Sequence, residues 1–349
     1  APDPAGDLAD RMSRKRMLAA SWALACVCAA LLLWLSTLGV RGVGGIYAVL
    51  VLFGCSRAFT GPAMQSLLPQ IVPRAYLAQA LATNSMIMRT GAIAAPVLGG
   101  VLYGLGGGEL TYGVCAMALA LAVVLLWRVP VRYAAARQPL QGTMWLRARD
   151  GIRFIRSHPI VLGTISLDLF AVLLGGVIAL LPVYAKEVLH AGPEGLGILR
   201  ASMSVGEVLM GLWLSSRPID QCVGKVMFAA VAVFGVANLV FSLSHWFWLS
   251  AAMLAIAGAA DMVSVYIRSS LVQFSTPDTM RGRVNAVNML FISSSNELGE
   301  FRAGAMAAGI GAVPAAIVGS ICTLGVVGTW MLWFKPLREV NKLEDASSL

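Results

Sequence analysis

Long apolar runs, separated by short polar connections, set the pattern of this chain from beginning to end. A helix needs about 20 apolar residues to cross the hydrocarbon core of a bilayer. Runs of that length recur near 17–38, 43–64, 78–105, 110–128, 159–184, 194–214, 225–244, 246–270, 284–307 and 312–334, and each predicts a membrane-spanning helix. Most connections between them are short. The longest polar one, Val129 to Pro159, leaves four runs before it and six after it. The expected division is therefore an N-terminal bundle over 1–128, a basic linker over 129–158 and a C-terminal bundle over 159–349.

Composition agrees with that pattern. Hydrophobic residues make up 58% and charged residues only 12%, whereas about a quarter of a soluble domain is charged. The net charge of +9 raises the question of nucleic acid, and the placement of the basic residues answers it. Seven arginines fall between Arg128 and Arg156, and most of the others stand beside apolar runs. Arg16, Arg74, Arg217, Lys225, Arg281, Arg283, Lys335 and Arg338 share one side with that block, while the opposite connections hold only Arg41 and Lys186. Such asymmetry orients a protein in a bilayer, with its basic side in the cytoplasm. The expectation is a multi-pass protein of the cell (inner or plasma) membrane with both termini cytoplasmic and no nucleic-acid partner. No charged-then-apolar presequence with a small-residue cleavage site stands before the first run. Six scattered cysteines without a CxxC pair, and histidines far apart at His158, His190 and His245, predict neither disulfides nor a metal.

An internal repeat is expected where helices divide into halves. A shift of 204 residues lays "VPRAYLAQALATNSM" on "TPDTMRGRVNAVNML", so that Pro73 meets Pro277, Asn84 meets Asn288 and Gly100 meets Gly304. Under the same shift Gly6–Arg16 falls on the connection that follows the second span of the later half. Two spans of the later half then lack a counterpart in the earlier one. The repeat predicts two further helices, about 50 residues, ahead of Ala1.

"GDLADRMSRKR", residues 6–16, resembles the loop between helices two and three of the major facilitator superfamily, through Gly6, Leu8, Ala9, Asp10, Arg11, Arg14 and Lys15. Ser13 takes the place of that loop's second glycine. "GAIAAPVLGG" resembles the superfamily's helix-five pattern through Gly91, Pro96, Gly99 and Gly100, with Ala95 where a glycine is usual. "SRAFTGPAMQSLLPQIVP" and "RGRVNAVNMLFISSSNELGEFRAGAMAAGIGAVPA" are similar to the enterobactin-exporter-like and macrolide-efflux-like branch. The resemblance implies an all-α membrane protein of two pseudo-symmetric helical bundles, with ten of the usual twelve helices in this chain. It also implies a secondary transporter, an antiporter that exports a small siderophore-like or drug-like molecule as a monomer. Its energy source would be a proton gradient, with no cofactor, and Asp10 would help close the cytoplasmic side. A non-transporting remnant or membrane scaffold is the alternative.

Ionised groups at mid-membrane cost about 2.5–3.5 kcal/mol each on insertion scales, so they face a partner or a water-filled path. Arg200, Ser204, Glu207 and Gly211 form one helical stripe, and Asp261, Ser264 and Arg268 a second. Ser293, Glu297, Glu300 and Gly304 form a third, with Arg302 off it. Arg57, Arg89 and Arg268 stand near cytoplasmic ends and either snorkel or find partners. Carboxylates lack that long stem, which makes Asp168, Glu207, Asp261, Glu297 and Glu300 the candidates for proton coupling. Glu297 and Glu300, three residues apart, repel each other when both are charged and are the expected proton carriers. Asp261 is expected to pair along its own helix with Arg268, while Asp168 and Glu207 stay open between the two roles. An enzyme is not expected, because GxSxG and HExxH are both absent. "VGKV" at 223–226 lacks the flanking residues of a phosphate loop.

Overall fold

The computed structural model describes residues 14–38, 43–73, 76–131 and 144–343, and all regular structure among them is helical. In chain order the helices are α1 (Arg14–Thr37), α2 (Val43–Ile71), α3 (Leu77–Arg128), α4 (Met144–Ser157) and α5 (Pro159–Gly175). They continue with α6 (Gly192–Ser216), α7 (Val223–Leu243), α8 (Phe247–Phe274), α9 (Asp278–Ile310), α10 (Ala312–Trp333) and the short α11 (Lys335–Glu339). Eight stretches among the described residues are long and apolar enough to cross a membrane. That count and the ten predicted spans differ for two physical reasons. The spans 78–105 and 110–128 run together as α3, which leaves helical geometry only at Gly106 and Gly107. Gly107 takes a φ of 61°, which side-chain-bearing residues rarely adopt. The span 284–307 lies inside the 33-residue α9, about 50 Å long, whose charged residues pull its hydropathy below that of its neighbours.

Local signals explain several boundaries. Pro159 occupies the first turn of α5, where a missing N–H costs nothing. Beyond Gly176 the predicted span 159–184 continues as a 3-10 turn (Ile178–Leu180), one α turn and a π turn (Tyr184–Val188). Gly311, at φ 89°, turns the chain sharply from α9 into α10. The unpaired N–H groups that begin every helix are met at α7 by the segment after α11. Gly224 donates to the Val340 carbonyl at 3.0 Å, and the Cys222 N–H to Asn341 Oδ1 at 3.0 Å.

Contacts group the chain into two compact units. The first holds the chain up to Gly91 and resumes at Val101, so it contains α1, α2 and most of α3. Its core is Leu18, Ala19, Ala63, Leu67 and Leu126, and Ser56 Oγ ties α2 to α1 by donating to the Ser21 carbonyl at 2.6 Å. Lys15, from the opening motif, donates to the Trp127 and Val129 carbonyls at 2.9 and 2.6 Å. A cation there satisfies the free carbonyls and the negative dipole end of α3.

The second unit holds α4 to α11 together with Ala92–Gly100. That short piece of α3 lies on α6: a Cβ added to Gly100 would stand 2.6 Å from the Pro193 carbonyl oxygen. Small residues also seat α6 against α8, where Gly206 meets the Ala255 backbone and Gly258 the Met203 backbone. Close backbone approach of this kind holds helices together in lipid, where the hydrophobic effect gives no help between them. The stretch expected to be a plain basic linker contains α4, a strongly amphipathic helix. Its 14 residues are too few and too rich in arginine to read as a span.

Candidate functional site

The residues 159–175 that form α5 are apolar on every face, the mark of a helix surrounded by others. Its exceptions are Thr164 and Ser166, whose hydroxyls turn back to the Ile160 and Leu162 carbonyls at 2.7 and 2.5 Å, and Asp168, only 6% exposed. Across from Asp168, on α8, stands Arg268, 5% exposed. Arg268 Nη1 donates to Asp168 Oδ2, making a buried ion pair that joins α5 to α8. Expected along α8 toward Asp261, Arg268 instead reaches across to α5. Periodicity reveals which residues share a helix face, and it is blind to which helix lies opposite.

Asp261 and Ser264 occupy the same face of α8, two turns and one turn before Arg268. They line a cavity of about 10 Å³ with Asp168, closed by Ala171, Val172, Val231, Phe234 and Ala260. That is scarcely room for one water. Ser264 Oγ and Arg268 Nε are buried without protein partners. Glu207 lies on α6 beside Gly206, where α6 crosses α8 at Ala255. Two carboxyl groups, one guanidinium and one hydroxyl thus meet where α5 and α8 come together inside an apolar bundle, with a third carboxyl group close by.

Such an arrangement is expensive. Taking two charges out of water costs several kcal/mol each, and mutual attraction offsets this only with good geometry. An apolar pair of the same volume would serve packing as well. The cluster therefore calls for a role beyond holding helices together.

The other candidates disperse. Glu297 and Glu300 lie on the exposed side of α9, turned from the face where Gly299 packs on α5 at Val172 and Leu173. Arg302 is half-buried between α9 and α10, with Nη1 3.2 Å from Met306 Sδ and its guanidinium against Gly319. Arg200 is exposed on α6, as are Arg57 and Arg89 on α2 and α3. Gly6, Asp10 and Arg11 lie outside the described residues, and Arg14 begins α1. Of the helix-five residues, Pro96 and Gly100 pack on α6 at Gly197 and Pro193, while a Cβ added at Gly91 or Gly99 would meet nothing within 4 Å among the described residues. The capping role of Lys15 and the helix α4 were not anticipated. A lysine just inside α1 gives no sign of which distant helix end it will reach.

Solved structures of the same fold place the class. The chain superposes on a bacterial homolog of the human lysosomal transporter Spinster, inward-facing and unoccupied, with TM-score 0.68 at 14% identity. The match covers 99% of this chain and 86% of that one. The nucleoside transporter NupG gives TM-score 0.69, also at 14% identity, over 94% of this chain and 86% of that one. The fold is that of the major facilitator superfamily: an all-α, multi-pass membrane transporter fold. Within it, residues 3–349 match the family described as transmembrane secretion effector, and the chain belongs to that family. Similar curated proteins include the enterobactin exporter EntS of Citrobacter koseri, 25% identical over 97% of this chain and 80% of that protein. EntS of Salmonella paratyphi A is 24% identical over 98% of this chain and 81% of its own length.

Proposed function

We propose that this efflux transporter of the major facilitator superfamily is a proton-coupled antiporter, exporting a small siderophore-like or drug-like molecule across the cell membrane. Its class and direction draw support from the secretion-effector family and the enterobactin exporters among its relatives. One observation carries the proton coupling: Asp261 lines the same small cavity as Asp168, whose charge is already matched by Arg268. Asp261 is the proton carrier in this reading. Asp168 holds Arg268 close by, and the guanidinium makes an ionised Asp261 tolerable once its proton has left. Glu297 and Glu300, on the open side of α9, serve the substrate path instead. The transporter works as a monomer, with both termini and the arginine-rich connection in the cytoplasm.

Everted vesicles holding the purified chain test the reading, with radiolabelled enterobactin and other siderophores as probes. An acid interior drives uptake into such vesicles, and nigericin, which collapses the pH gradient, abolishes it. Uptake that persists through nigericin treatment contradicts proton coupling.

A further inference from the structure

The arginine-rich helix α4 has two unlike faces. One face is packed. Ile155 is buried among Val161, Ile165, Val272, Val284 and Val287, and a Cβ on Gly151 would lie 2.9 Å from the Arg283 carbonyl oxygen. The other face carries Arg149, Arg153 and Arg156, spaced by four and three, hence one stripe. All three are exposed, and among the described residues none has an acidic partner. Ile152 stands amid them, exposed as well.

Where the stripe meets α9, Asp150, Arg153, Phe154, Ser157, Met280 and Arg283 line a groove of about 290 Å³. Arg283 Nη1 donates to Asp150 at 3.1 Å and to Met280 Sδ at 3.7 Å, which leaves three of a guanidinium's five donors for other acceptors. The groove thus offers two arginines and a hydroxyl on one side and the apolar walls Phe154 and Met280 on the other. This is the chemistry of a phosphodiester carrying acyl chains.

We infer that α4 is a docking surface for anionic phospholipid headgroups of the leaflet it faces, with Arg149, Arg153, Arg156 and Arg283 as the headgroup contacts. The level of α4 supports a lipid over a soluble anion. Only His158 separates α4 from Pro159, where α5 begins its passage through the apolar core, and α4 packs on the first turns of α9. Helix ends of spanning segments lie at headgroup depth. An exposed isoleucine within an arginine stripe fits an interfacial helix and has no use in a site for a free ion. Docked lipid would fix α4, and through the Asp150–Arg283 bond the start of α9.

The test is competitive lipid binding to the full chain in detergent. Equimolar phosphatidylglycerol and phosphatidylcholine are added, and bound lipid is counted by native mass spectrometry. The unsubstituted chain retains phosphatidylglycerol preferentially, and the preference falls as salt rises. Each of Arg149→Gln, Arg153→Gln and Arg156→Gln lowers it about fivefold, the equivalent of about 1 kcal/mol per basic residue at a membrane surface. The corresponding lysine variants keep the charge and most of the preference, which separates docking from a folding defect. Equal retention of the two lipids by the unsubstituted chain overturns the inference. So does a preference that all three glutamine substitutions together leave intact. Displacement of phosphatidylglycerol by millimolar inorganic phosphate, at constant ionic strength, would assign the groove to a free anion and likewise overturn it.

Discussion

Replacing Asp168 by Asn would leave Arg268 buried at 5% exposure with its anionic partner removed. Arg268 cannot shed its charge in a protein, and the cavity beside it holds about 10 Å³, too little to admit a hydration shell. Breaking a buried ion pair by removing one member costs about 3–5 kcal/mol, because the other charge is stranded. Asp168→Asn and Arg268→Gln should each fall in that range. Removing both charges together with apolar groups of similar size, Asp168→Leu with Arg268→Met, should cost far less than the sum and can even stabilise. The assay is reversible unfolding in mixed detergent–SDS micelles, followed by tryptophan fluorescence, for the unsubstituted chain, Asp168→Leu, Arg268→Met and the variant with both, the four corners of a double-mutant cycle. A coupling energy of about 2 kcal/mol or more is expected from the stranded-charge argument. Single substitutions that cost less than about 1 kcal/mol, the scale of an exposed pair, would refute it. The doubly apolar protein should fold and still fail to transport, since its cluster can no longer balance an ionised Asp261.

Two further outcomes follow from packing and charge placement. Gly206→Val should sharply lower the yield of folded protein, because its side chain would drive into the Ala255 backbone and separate α6 from α8; size-exclusion chromatography of the purified membrane fraction reads this, and a normal monodisperse yield would contradict the crossing. A cysteine introduced at Gly142, outside the described residues, in a background stripped of native cysteines should resist membrane-impermeant maleimide in intact cells, and strong labelling would reverse the orientation.

How much was legible beforehand depended on the range of the physics involved. The spans could be read because bilayer thickness imposes its length on the chain one segment at a time. The break at Gly106 and Gly107 was marked by its glycines, and Pro159 announced the start of α5. Asp168, Arg268, Asp261 and Ser264 stood out because polar groups in apolar helices are costly wherever they occur. Their pairing did not, because Asp168 and Arg268 are 100 residues apart and meet only through the packing of α5 on α8. The same applies to Lys15, which caps a helix end 112 residues away. The helix α4 was passed over for a different reason. Its arginines signal orientation as strongly as amphipathicity, and 14 residues cannot span.

Asp261→Asn, measured in two modes on the same everted vesicles, decides whether Asp261 carries the proton. In exchange mode, with substrate on both sides and no pH gradient, the account predicts flux close to that of the unsubstituted chain, because a neutral amide mimics the protonated carboxyl group. In driven mode, with an acid interior, it predicts that net accumulation disappears. Accumulation by Asp261→Asn equal to that of the unsubstituted chain would contradict the account, and would return the proton to Glu297 or Glu300.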